Sequence, residues 1–138
     1  MNSEHPQVLL DERCYDPATG KLFGNGCRNC NNQFFPVRDF CPDCLSAETM
    51  ERFEIPAKGT LYTYTVIHAG PASFGPPYTV GYADVSPQLR LFGRVQTIGG
   101  RTPKINEQVA IKLGKIGTED GRELWGVVFE PAEQEVGK

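Results

Sequence analysis

The residues best equipped for chemistry lie in one stretch, Cys27 to Cys44, CRNCNNQFFPVRDFCPDC. It carries four of the chain's five cysteines as two Cys-x-x-Cys pairs with ten residues between them. One such pair lets two thiolates reach a single metal from one tight turn. Two pairs complete a closed four-thiolate site from Cys27, Cys30, Cys41 and Cys44, the usual structural zinc arrangement. The gap is shorter than the roughly 15–20 residues of the common zinc template. It still suffices for a short two-stranded arm that doubles back. Asn31, just after the first pair, tolerates the left-handed backbone that such a turn often needs. Pro42 stiffens the second turn.

Other readings of the same thiols stay open. Two disulfides would need an oxidising compartment. A redox pair would expect a thioredoxin-like βαβ context, which the pattern lacks. Iron fits four thiolates as zinc does. With four protein ligands there is no open coordination position. The metal's expected role is therefore folding energy, about 10–16 kcal/mol in zinc-finger peptides, and not Lewis-acid catalysis.

Little else in the chain is catalytic in kind. Cys14 reads as a buried small apolar residue or a free thiol, since nothing local lowers its pKa or supplies a base. Of the two histidines, His5 lies near the start and His68 ends a long β segment. A lone histidine at a strand end is usually a hydrogen-bonded structural residue. No Gly-x-Ser-x-Gly elbow, P-loop or Gly-x-Gly-x-x-Gly fingerprint is present. Asp84, Glu107, Glu119, Asp120 and Glu123 flank turns and read as solvated. Arg90, Arg94, Arg101, Lys104, Lys112 and Lys115 read as ordinary solvated strand faces. The alternative is that a few of them meet phosphates, for instance of coenzyme A. Catalysis by this chain alone is not expected.

Length and composition set the frame for these residues. At 138 residues the chain holds one ordinary domain, or a small domain plus a metal-stapled module. A ribbon of about 30 residues cannot bury enough apolar surface alone, so a metal takes the place of a core. The net charge of −3 gives no electrostatic footprint for nucleic acid. The opening MNSEHPQVLLDER lacks the basic and apolar regions of a secretory signal. No run approaches the roughly 18 apolar residues of a membrane span. The expectation is a cytoplasmic protein, away from membranes, in a compartment that keeps thiolates available.

The elements that position the cysteines are read as β throughout. Val8, Leu9 and Leu10 can dock a short segment on the body. Asp16 to Gly20 and Gly24-Asn25-Gly26 read as turns, with Lys21-Leu22-Phe23 a short strand between them. Leu45 to Arg52 reads as a linker of modest helical character. Phe53-Glu54-Ile55 reads as a strand leaving the ribbon, and Pro56 to Gly59 as a turn. Five β segments follow: Thr60–Ala69, Tyr78–Val85, Leu89–Ile98, Gln108–Lys115 and Glu123–Phe129. Ser86-Pro87-Gln88 and Glu119 to Arg122 turn the chain. Gly81, Gly93 and Gly126 inside strands suggest bulges or sharp bends. Five short strands without crossover helices point to a small closed barrel, most economically the OB-fold. An SH3-like barrel or an open sheet is the alternative.

The fold class expected is thus mainly β: a rubredoxin-like zinc ribbon with four cysteine ligands, then a five-stranded OB-fold barrel. The boundaries expected are an N-terminal extension over 1–26, the ribbon over 27–52, the barrel over 53–131 and a frayed polar tail over 132–138. The loop from Gly70 to Tyr78 is too long for a minimal hairpin. Its prolines stiffen it around Phe74 and Tyr78. Two readings compete, a plug for one barrel end and a recognition lip for an apolar ligand or partner.

The ribbon, then GTLYTYTVIH, then FGPPYTVGYADV, in that order, resembles the small zinc-ribbon plus OB-fold proteins associated with acyl-CoA enzymes. The resemblance runs from about Cys27 to Phe129. It implies a non-catalytic accessory subunit in a hetero-oligomer with a thiolase-fold enzyme that makes or breaks carbon–carbon bonds in acyl-CoA. Such partners include acetoacetyl-CoA thiolases, thiolase-like aldolases of steroid side-chain breakdown and thiolases of anaerobic aromatic degradation. Some members partner acyl-CoA hydratases instead. The partner would carry the catalytic residues, and this chain would stabilise it and help form the acyl-CoA site. His68, Phe74, Pro76, Pro77 and Tyr78 are then candidate contacts for the partner or coenzyme A. The first 26 residues depart from the family pattern, in which a helix commonly leads into the ribbon. A competing reading from fold alone is a single-stranded nucleic-acid module, with Tyr62, Tyr64 and Tyr82 as stacking residues.

Overall fold

The computed structural model describes residues 7–97 and 103–131. His5, Ile98, Arg101 and the tail 132–138 named above lie outside the described residues. The described chain forms nine strands and two short 3-10 turns: β1 (Gln7–Val8), a turn (Glu12–Cys14), β2 (Phe23–Cys27), β3 (Gln33–Phe34), β4 (Met50–Glu54), β5 (Lys58–Ile67), a turn (Ala72–Phe74), β6 (Tyr78–Ser86), β7 (Leu89–Val95), β8 (Gln108–Glu119) and β9 (Arg122–Pro131). Among the described residues no helix is long and apolar enough to cross a membrane.

β5 to β9 close on themselves. β5, β6 and β7 form an antiparallel meander, β7 meets β9 in parallel, β9 pairs with β8, and β8 returns to β5. That order, with its one parallel closure inside the barrel, is the OB-fold topology. β1 adds to the free edge of β9 in parallel, as Val8 and its neighbours were expected to dock. Leu61, Ala83, Leu91, Val109, Val128 and Phe129 are almost wholly buried, and Phe129 is the largest of them. Alternation of buried and exposed residues along β7 is the period-two signature that made these strands legible.

Three local expectations need correction. Gly24-Asn25-Gly26 is not a turn but the middle of β2, paired with β3 on one side and β4 on the other. A Cβ at Gly26 would come within 2.7 Å of the Asn32 carbonyl oxygen, so this glycine lets two backbones approach closely. Leu45 to Arg52 has no helix, and its last residues belong to β4. The barrel's register shifts fall between Leu61 and Thr63, Asp84 and Ser86, and Lys115 and Gly117, not at Gly81, Gly93 or Gly126. Those three glycines keep regular pairing and make room for neighbours instead. A Cβ at Gly93 would sit 2.8 Å from Val127 Cγ1. Pro131 pairs with Val109 as the last residue of β9.

The ribbon sheet, β3-β2-β4, is tied to the barrel along a seam of hydrogen bonds. Ile55 N–H donates to the Leu22 carbonyl at 2.8 Å, and Leu113 N–H to the Gly20 carbonyl at 3.2 Å. The Ser86 hydroxyl donates to Gln33 Oε1 at 2.7 Å. Leu22 and Ile55 enter the same core cluster as Leu61 and Phe129. The turn expected from Asp16 to Gly20 is present: the Asp16 carboxylate accepts from Ala18 N–H and the Thr19 hydroxyl, and Gly20 takes φ 77°.

Candidate metal centre and apolar groove

The four ribbon cysteines sit on two turns of the same design. Asn31 N–H donates to the Cys27 carbonyl at 2.8 Å, and Leu45 N–H to the Cys41 carbonyl at 2.7 Å. The first cysteine of each pair then donates its own N–H one residue further on, Cys27 to the Asn32 carbonyl and Cys41 to the Ser46 carbonyl. Asn31 and Leu45 both take the left-handed backbone, with φ 61° and 62°. Asparagine suits that conformation and leucine does not. Each turn presents two Sγ atoms to a common point.

The four Sγ atoms lie within 4.8 Å of one another, and those of Cys27 and Cys44 are 3.7 Å apart. A tetrahedron with Zn–S bonds of about 2.3 Å has S···S edges of about 3.8 Å. The cluster therefore fits a single tetrahedral ion, and the all-thiolate donor set suits zinc or iron. Cys27 and Cys41 are buried and Cys44 is exposed. The Thr49 hydroxyl, 3.2 Å from Cys27 Sγ, holds that thiol down to about 6. Hydrogen bonds to Cys44 and Cys41, with burial, push Cys30 up to about 12. Four crowded thiols resist ionising together unless a cation shares their charge.

The arm between the pairs is braced from within. Asn25, a buried polar residue of the ribbon, donates through Nδ2 to the Arg38 carbonyl at 2.7 Å and accepts from Arg38 N–H at 3.0 Å. Asn32 Nδ2 donates to Asp43 across the two turns. Cys14, the fifth cysteine, is fully buried and accepts from Val37 N–H at 3.4 Å. Burial pushes its thiol up, which is opposite to what a nucleophile needs.

The arm also reaches the barrel. Phe35 and Pro36 form one wall of an apolar groove of about 420 Å³. Leu9 and Leu10 form another wall, and the floor is the outer face of β6 and β7 with Val80 and Phe92. Phe74 and Tyr78 close it, edge to face with ring centres 5.8 Å apart. Of the five lip residues named from sequence, Phe74 and Tyr78 therefore line the groove. Pro76 and Pro77 connect them without lining it, and His68 is exposed on the bend beyond β5.

Sequence reading named Arg94 and Arg90 but missed what they hold. Arg90 is solvated as expected, though paired, whereas Arg94 is not an ordinary solvated strand cation. Arg94 is half-buried, its Nη1 donates to the carbonyls of Phe74 (3.0 Å) and Ile116, and its guanidinium lies 4.9 Å from the Tyr78 ring centre. It fastens the lip to β7 and β8. Gly117 makes room for that contact: a Cβ there would meet Phe74 Cδ1 at 2.8 Å. Arg90 pairs with Asp84 at 2.6 Å and stacks 3.5 Å over Tyr62. Between the groove and that ion pair on the same outer face, Tyr82 and Phe92 are in edge contact at 5.3 Å and both are well exposed.

Residues 16–51 match the rubredoxin-like zinc ribbon domain of ChsH2, and residues 53–113 match the ChsH2 C-terminal OB-fold domain. A DUF35 domain-containing scaffold protein of Methanocaldococcus jannaschii is 30% identical over 116 residues, covering 81% of this chain and 82% of that protein. The chain belongs to the DUF35 family of zinc-ribbon and OB-fold proteins. A further relative, the benzoylsuccinyl-CoA thiolase subunit BbsA of Thauera aromatica, is 29% identical over 112 residues, covering 81% of this chain and 75% of BbsA. Among solved structures, the Ltp2-ChsH2(DUF35) aldolase superposes with a TM-score of 0.63 at 25% identity, covering 82% of this chain and 86% of that one. Ahead of the ribbon, where the resemblance implies a helix, this DUF35 chain has β1 and the turn at Glu12–Cys14, with Cys14 packed under the arm.

Proposed function

We propose that this chain is a non-catalytic accessory subunit of a thiolase-fold enzyme acting on acyl-CoA. In this reading the ribbon, over 27–52, is a folding staple around one structural zinc. The barrel, over 53–131, presents the surface that holds the catalytic partner. The observation that carries the reading is the outer face of β6 and β7. Phe92 is 53% exposed and Tyr82 43%, and both continue into the groove closed by Phe74 and Tyr78. A solvent-facing apolar surface of this kind is built to be covered. The named relatives point the same way, one being a scaffold protein and another a thiolase subunit. The likeness to BbsA brings a thiolase of anaerobic aromatic degradation into the proposal as one such partner. A hydratase partner would use the same face.

The nucleic-acid alternative finds less support on this face. A stacking platform needs a cationic track beside it. Here Arg90 is spent on Asp84, and Arg94 is turned to backbone carbonyls.

The test is affinity capture of the tagged full chain from its native cell extract, with mass spectrometry and metal analysis. The expected result is a thiolase-fold or hydratase partner at fixed stoichiometry, with one zinc per chain. Phe74→Ala should weaken that complex, or its affinity for coenzyme A, while the chain stays folded. Recovery of nucleic acid without an acyl-CoA enzyme would overturn the reading. Unchanged assembly and turnover in Phe74→Ala would remove the lip from it.

A further inference from the structure

The groove contains a cation that carbonyls of Phe74 and Ile116 and the Tyr78 ring approach but that no described carboxylate neutralises. Its lining is almost entirely carbon, and Arg94 is the single cation among the described residues that line it. Nη1 of Arg94 is engaged twice, by the carbonyls of Phe74 and Ile116. Nε and Nη2 have no hydrogen-bond partner among the described residues, and no described carboxylate forms an ion pair with Arg94. Burial works against the charged form of this guanidinium, as it does for any half-buried cation without a counter-ion. Arg90, on the same strand, shows the ordinary solution by pairing with Asp84. Arg94 is thus a donor fixed in direction by backbone carbonyls, with fork positions left over, at the wall of an apolar cleft.

We propose that the groove binds a small amphipathic anion. An apolar chain or ring would lie between the ribbon arm and the barrel face, and its carboxylate would be received by Arg94. A volume of about 420 Å³ falls within the usual range for small-molecule clefts. The carbon walls supply the affinity for the apolar body, and one oriented guanidinium selects the head group. A neutral ligand of the same shape would desolvate Arg94 and return nothing. The proposal stands on the groove and Arg94, and it survives if the accessory-subunit reading fails.

The test is titration calorimetry of the full chain with decanoate and with decanol at matched ionic strength. Decanoate should bind at one per chain, and decanol at least about tenfold more weakly, the scale of one charged hydrogen bond. Arg94→Lys should keep most of that preference, and Arg94→Gln should erase it. Phe92→Asp, a change on the exposed floor, should lose decanoate while the circular dichroism spectrum is unchanged. Equal affinity for the two probes in the unaltered chain, binding of neither, or a preference that survives Arg94→Gln would each overturn the proposal. Arg94→Gln also releases the Phe74 carbonyl, so the comparison of probes on the unaltered chain decides the matter if that variant is unstable.

Discussion

Leu45 shows how one residue can be placed against its own preference. It follows the second cysteine pair in the left-handed conformation, at φ 62°, and its side chain is 72% exposed. A non-glycine residue there costs about 1–2 kcal/mol, and this side chain recovers little by burial. Leu45→Gly or Leu45→Asn should therefore stabilise the ribbon by about 1 kcal/mol. The measurement is the rate at which a chelator strips metal, which should fall, while replacement of Asn31 by Leu should raise it. Asn31 could be read from sequence because its residue type announces the conformation. Leu45 could not be read by type, yet its position could: it stands at the same offset after Cys44 as Asn31 does after Cys30. Arg94 was hidden for a related reason. Sequence shows a cation on a strand, and only the folded lip shows the carbonyls that claim it.

At the scale of elements, the barrel strands were legible, while β2, β4 and the contacts between strands were not. Period-two burial located β5 to β9 within a few residues, because alternation follows from the pleat alone. What glycine does inside a strand depends on the neighbouring strand, which no local pattern contains. Gly93 illustrates the difference. It pairs regularly with Gly81, and a Cβ would meet Val127 Cγ1 at 2.8 Å and Phe129 Cζ at 3.0 Å. Gly93→Ala should cost about 1–3 kcal/mol by overpacking the barrel, read as a lower midpoint in urea with little change in slope. The ribbon obeys a different ledger. Its three strands are short, so a metal held by the four thiolates would be its main staple. Cys41→Ser should lose the metal and lower the melting temperature, with several kcal/mol of metal-linked stability removed. A Cys41→Ser variant that retained metal and melted like the parent would refute the closed four-thiolate site.

In the molecule as a whole, module order was readable because cysteine spacing and strand alternation are both local signals. The join was not, because it is made of backbone hydrogen bonds such as Ile55 to Leu22 and of Cys14 under the arm. Phe35 and Pro36, which line the groove, lie on the arm between the two cysteine turns. One further consequence comes from β9. It is the only described strand that bonds to β1, β7 and β8 together, and it is the last of the described strands to be made. Ribosomal synthesis releases the chain from its amino end. The ribbon has all its ligands and all three of its strands once Glu54 has emerged, whereas the barrel stays open until Phe129 can lie beside Val95. The four thiols are therefore all available to a metal before the barrel can close on the nascent chain. The half-made sheet then waits with β7 and β8 unsealed, already tethered to a finished knot.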